Sequence, residues 1–122
     1  MEAIQVKQEP VAQPSQEQLG LLIELYEGAI SFLEQAIEAN QNGDTEEFRH
    51  KVAKSRRIIQ EFQRTLNPQH GGDVPNQLND LYQFMVDTLN EADLTGETAP
   101  VKQVMGHLAT LLDGWRGVVP ML

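Results

Sequence analysis

Glu47 and His50, separated by two residues, form the one pair in this chain whose types and spacing suit a metal. A carboxylate-bridged di-iron centre in a helical bundle needs two such Glu-x-x-His pairs, plus a glutamate from each of the two remaining helices. No second pair exists. His70 lies in a Pro/Gly stretch, and the residue three before His107 is Val104. The third helical segment offers Asp80 and Asp87 but no glutamate until Glu91. No metal site and no cofactor are expected.

Nucleophilic chemistry finds no better footing. There are no cysteines, and neither Ser31 nor Ser55 has a histidine nearby in sequence. Ser55 falls on a helical seam, where a serine either bonds back to its own helix or lets another helix approach closely. Gly71-Gly72 lacks the preceding strand and following lysine of a phosphate loop. His107 reads as a partly buried packing residue, and Tyr26 and Trp115 as core residues whose polar tips reach a partner or the surface. The expectation is that this protein is not an enzyme.

Composition narrows the remaining classes. The 122 residues suit one domain with a single core, and 40% hydrophobic content is ordinary for a soluble chain. Aromatics make up only 6%, so aliphatic side chains must supply most of the packing. A net charge of −9 argues against nucleic acid and against an anionic membrane surface. Nothing approaches the ~18 consecutive apolar residues of a membrane span, and the N-terminus lacks a signal-peptide pattern. The sequence therefore reads as cytoplasmic.

The elements that would position any site are helices. Residues 1–14, with Pro10 and Pro14 and no helical period, read as a flexible N-terminal arm; residues 15–119 read as one domain. Four amphipathic segments follow, near 16–41, 45–66, 74–92 and 100–118. Ser15 and Gln18 form a capping box for the first, which Asn42-Gly43 ends. Asp44 or Thr45 caps the second, whose seam is Phe48, Val52, Ser55, Ile59, Phe62 and Leu66. Asn67-Pro68 and Gly71-Gly72 separate it from the third, where Pro75 suits the first turn. The third carries Leu78, Leu81/Tyr82, Met85, Leu89 and Ala92, with Phe84 and Val86 on opposite flanks. The fourth carries Val101, Val104, Leu108, Leu111, Trp115 and Val118. Short links between helices imply an all-α fold, an antiparallel up-down four-helix bundle with Tyr26, Ile59, Met85 and Trp115 inward.

Two helices carry surface features worth marking. Six of the nine lysines and arginines lie on the second: Arg49, Lys51, Lys54, Arg56, Arg57 and Arg64. They read as a solvated basic face beside an acidic neighbour. On the first helix, Leu19, Leu22/Ile23, Tyr26, Ala29/Ile30, Leu33 and Ala36/Ile37 form the core stripe. Leu21, Leu25, Gly28 and Phe32 widen the apolar arc to about 200°, twice the ~100° that one core-facing stripe needs. Glu24, Glu27, Glu34 and Glu38 make the other flank acidic. The excess either packs against a neighbouring helix or the arm, or it binds a partner. The expected partner-binding set is Leu21, Leu25, Gly28 and Phe32, with Ile58 of the second helix and Phe84 of the third.

The run Leu25-Tyr26-Glu27-Gly28-Ala29-Ile30-x-Phe32-Leu33-x-x-Ala36 resembles the FliS family of flagellar export chaperones. Further matches to that family pattern are Ser15-x-Glu17-Gln18-Leu19, Gly43-Asp44, Ile58-Ile59, Leu66-Asn67, Gly71-Gly72, Leu78-x-x-Leu81-Tyr82-x-x-Met85, Leu89-x-x-Ala92 and Trp115. The resemblance covers about residues 15–117. The chain departs from the pattern in having no tyrosine in residues 1–14 and Gln16 where the family has proline. The resemblance implies a helical bundle that binds the disordered C-terminal segment of flagellin in the cytoplasm, prevents premature polymerisation and supports flagellar (type III) secretion. The export apparatus is an implied further partner. The alternative is a generic interaction bundle that uses the same flank to homodimerise.

Overall fold

The computed structural model describes residues 16–65 and 73–118. They form four helices, α1 (Gln16–Gln41), α2 (Thr45–Thr65), α3 (Asp73–Thr95) and α4 (Ala99–Val118), and no strand among the described residues. The expected arm, Ser15, Leu66 and the Asn67–Gly72 link lie outside them.

The local stop and start signals act as their chemistry requires. At the end of α1 the Asp44 amide donates to the Ala39 carbonyl (2.9 Å) and the Gly43 amide to Asn40 (3.0 Å). This is a Schellman closure, and it needs a left-handed residue at Gly43, whose φ is 76°. Asp44 then caps α2 by accepting the Glu47 amide on Oδ1 (3.0 Å). Glu46 and Glu47 occupy the first turn, at the positive end of the helix dipole. The third helix runs past its expected end at residue 92 and stops at Thr95, before Gly96 (φ 74°), whose amide donates to Ala92 at 2.8 Å.

Contacts at the two ends show that the helices alternate in direction. At one end, Asn40 Nδ2 donates to the Gly96 carbonyl (2.9 Å), and Arg49 Nε lies 3.5 Å from Asp93 Oδ1. At the other, Tyr26 stacks on Phe62, Tyr82 meets Phe62 at a tilt, and Arg116 pairs with Glu27. Each helix packs on its neighbours in the chain, and α1 closes the ring against α4. The fold is the antiparallel up-down bundle that the spacing implies.

Tyr26, Leu33, Phe48, Val52, Ile59, Met85, Leu89, Val104 and Leu108 are fully buried in the centre. Two helices are rotated slightly from their expected phase. On α4 Leu112 is buried while Leu111, Trp115 and Val118 are half-buried, and on α3 Val86 joins the core instead of a flank. Both shifts follow from packing against two neighbours at once, which turns the buried arc toward the bundle axis.

Ser55 is fully buried, and its Oγ donates across the interface to the Ala29 carbonyl at 3.0 Å, not to its own helix. The small Ala29, Ala36 and Ser55 let α1 and α2 approach closely enough for that bond. At the upper end, the Tyr26 and Tyr82 hydroxyls share a short hydrogen bond, and Tyr26 stacks on Phe62 with centroids 4.7 Å apart. Burial pushes both phenols up. For Tyr26 the Tyr82 hydroxyl and the Trp115 indole partly offset that rise. For Tyr82 the proximity and hydrogen bond of Tyr26 add to it. The Trp115 Nε1–H is buried and completes no hydrogen bond of good geometry, although it lies close enough to bear on Tyr26.

Candidate partner-binding groove

The widened arc of α1 is not fully covered by the bundle. Leu21 is 59% exposed and Leu25 36%. Leu25 and Phe32, two turns apart, form one wall of an open groove of about 360 Å³, with Ile58, Lys54, Arg57 and Glu61 of α2 as the other. The same α1 face continues toward its N-terminus, where Leu21 and Gly20 lie among Glu17, Gln18 and Glu24. Leu25, Phe32 and Ile58 therefore line the groove, Gly28 faces Ile58, and Leu21 stands one turn before Leu25 on the same side of α1.

Gly28 lies on α1 between Leu25 and Phe32 in the chain and faces Ile58. A Cβ placed there would sit 4.0 Å from Ile58 Cδ1, an ordinary contact. The helix pair itself thus leaves room for alanine, which favours a helix interior by about 0.8–1 kcal/mol over glycine. What the glycine provides is a half-buried stretch of α1 backbone beside Ile58 that carries no side chain.

The basic face of α2 divides into two ranks. Arg49 and Arg56 reach α3, at Asp93 and at the Asn90 side chain (3.0 Å). Lys51 pairs with Glu47 of its own helix (3.5 Å) and Arg64 with Glu61. Lys54 and Arg57 line the groove and form no ion pair. The acidic flank of α1 is not their partner: among the described residues its one ion pair runs from Glu27 to Arg116 of α4. Above the Phe32 ring stand two ammonium groups, Lys51 Nζ at 5.5 Å and Lys54 Nζ at 5.3 Å from the centroid. Each such contact is worth about 0.5–1 kcal/mol at an exposed site. Of the α2 residues that line the groove, the expected partner-binding set held Ile58 but not Lys54, Arg57 or Glu61. The usable signal is Lys54 and Arg57 at i, i+3 beside Ile58.

Phe84 lies elsewhere. It is 44% exposed on α3 and meets the edge of the α4 residue His107, with ring centroids 5.8 Å apart, on the face opposite the α1–α2 groove. His107 is the packing residue expected. Glu47 pairs with Lys51 and His50 points to solvent, so they do not converge. Among the described residues no group of three or more His, Cys, Asp or Glu side chains is placed to hold a metal, and no helix is long and apolar enough to cross a membrane.

A family model described as flagellar protein FliS matches residues 2–121. The flagellar secretion chaperone FliS of Campylobacter jejuni is 34% identical over 110 residues, covering 85% of this chain and 86% of the relative. The flagellar secretion chaperone FliS of Bacillus subtilis is 27% identical over 99 residues, 81% of this chain and 73% of the relative. That of Salmonella typhimurium is 29% identical over 97 residues, 79% and 72% of the two chains.

Proposed function

This chain belongs to the FliS family of flagellar secretion chaperones, and we propose that it holds the C-terminal segment of flagellin in the cytoplasm until export. The observation that supports this reading is the open α1–α2 groove, lined by Leu25, half-buried Phe32 and Ile58, with exposed Leu21 one turn further along α1. A disordered amphipathic segment needs an apolar surface on which to bury its own stripe, and a preformed helix–helix groove supplies one. Occupying that stripe keeps it from packing against other flagellin subunits. The chaperone needs no energy source, because it competes for the same surface that drives polymerisation. Handover to the export apparatus then requires only that a competing site take the segment. Phe84 belongs to the proposal as a separate contact on the α3–α4 face.

The test is light scattering on the purified protein, alone and with the isolated C-terminal segment of flagellin. A complex of one chaperone with one segment is the expected result. A chaperone dimer that ignores the segment would instead assign the groove to self-association.

A further inference from the structure

We infer that the segment seated in the α1–α2 groove carries carboxylates along the flank that faces α2, spaced i, i+3 or i+4 on a helix, and that Lys54 and Arg57 bind them. This rests on the groove being the partner site. The first support is the distribution of charge. In a chain of net charge −9, the cations of α2 are engaged by Asp93, Asn90, Glu47 and Glu61, except for the two that flank the groove. Lys54 and Arg57 stand one turn apart, about 4.5 Å along the axis, which matches carboxylates one turn apart on an adjacent helix.

The second support is the position of Lys54 itself. Its ammonium rests over the Phe32 ring at 5.3 Å. An apolar side chain that covers Phe32 must push this ammonium aside or strip it of water. An unpaired desolvated cation is strongly disfavoured, so a purely apolar occupant is penalised. A carboxylate beside the apolar stripe removes that penalty by receiving the displaced lysine. The opposite end of the same face fixes the orientation: Leu21 lies among Glu17 and Glu24 of α1, which repel an acidic flank turned that way. The groove therefore selects a helix whose acidic side faces α2.

The experiment titrates the C-terminal segment of flagellin into the full chain at about 0.1 M and about 1 M sodium chloride, which shortens the Debye length from about 10 Å to about 3 Å. Wild type, Lys54→Gln/Arg57→Gln, the conservative Lys54→Arg/Arg57→Lys, Lys102→Gln on α4 and Leu25→Glu are compared, each checked for folding by circular dichroism. The expected result is weaker binding of wild type at high salt. The double glutamine variant should lose about two- to fivefold per cation at low salt, the range of exposed ion pairs, and show a flattened salt response. The conservative variant and Lys102→Gln should bind as wild type does. If wild type binds and Leu25→Glu does not, yet the double glutamine variant matches wild type at both salts, the acidic-flank inference is overturned while the groove stands. Failure of wild type to bind the segment, or undiminished binding by Leu25→Glu, overturns the groove reading and this inference with it.

Discussion

Replacing Leu25 with glutamate separates a groove from a core. Leu25 is 36% exposed, so the new carboxylate can reach water, and the unpaired Arg57 lines the same groove. Burying a leucine completely is worth about 1.5–3 kcal/mol. The buried two-thirds of Leu25 therefore contributes about 1–2 kcal/mol, and the glutamate methylenes keep part of that. The melting temperature should fall by roughly 3–10 °C, with the folded signal intact. Binding should suffer more, because a bound segment would seal the carboxylate away from solvent against its own apolar stripe. The expected loss is at least tenfold, about 1.4 kcal/mol. Leu33→Glu is the reference: Leu33 is fully buried on the same helix, and an unpaired charge there should cost several kcal/mol and unfold the chain. Thermal circular dichroism and titration with labelled flagellin segment give both quantities. A Leu25→Glu chain as unfolded as Leu33→Glu would refute the exposed-groove argument, and a folded one that binds normally would refute the groove as the site.

Gly28→Ala should raise stability by about 0.5–1 kcal/mol through helix propensity, since its Cβ meets Ile58 only at 4.0 Å, yet weaken segment binding if the partner rides over that stretch of α1; urea melts and titration report the two separately. Ser55→Ala removes the bond to the Ala29 carbonyl and should cost about 0.5–1.5 kcal/mol in the same melts. Tyr26→Phe or Tyr82→Phe strands a buried hydroxyl at about 1–3 kcal/mol, whereas the double variant should cost less than the sum, which a double-mutant cycle measures. Both phenols are raised in the folded state, so below the ordinary tyrosine value of about 10 they contribute no pH dependence. Above it the unfolded chain releases protons first, and stability should fall as pH rises from there; a denaturation series with the double phenylalanine variant as control should show that this part of the slope vanishes.

The sequence alone was enough for the helices, the caps where α1 ends and α2 begins, and the family pattern, because those depend on residues within one or two turns of each other. Asn42-Gly43-Asp44 closes one helix and opens the next through bonds that span at most five residues. The seams of α1 and α2 were equally legible, since a three-and-four period assigns residues to a common face whatever lies opposite. Tertiary structure decided the rotation of each helix against its neighbours, which follows from how side-chain ridges interlock. That rotation buries Leu112 and Val86 ahead of Leu111, and sends Phe84 to the α3–α4 face. It also joins Ser55 to Ala29 and Tyr26 to Tyr82, pairs 26 and 56 positions apart. The groove shows the same division. The excess apolar arc on α1 was visible as a pattern, but the pattern cannot tell whether α2 or α4 covers it. In the bundle α2 packs beside it without closing over it, and so sets Lys54 and Arg57 along its edge. Their position depends on contacts between two helices, which no single-helix period encodes.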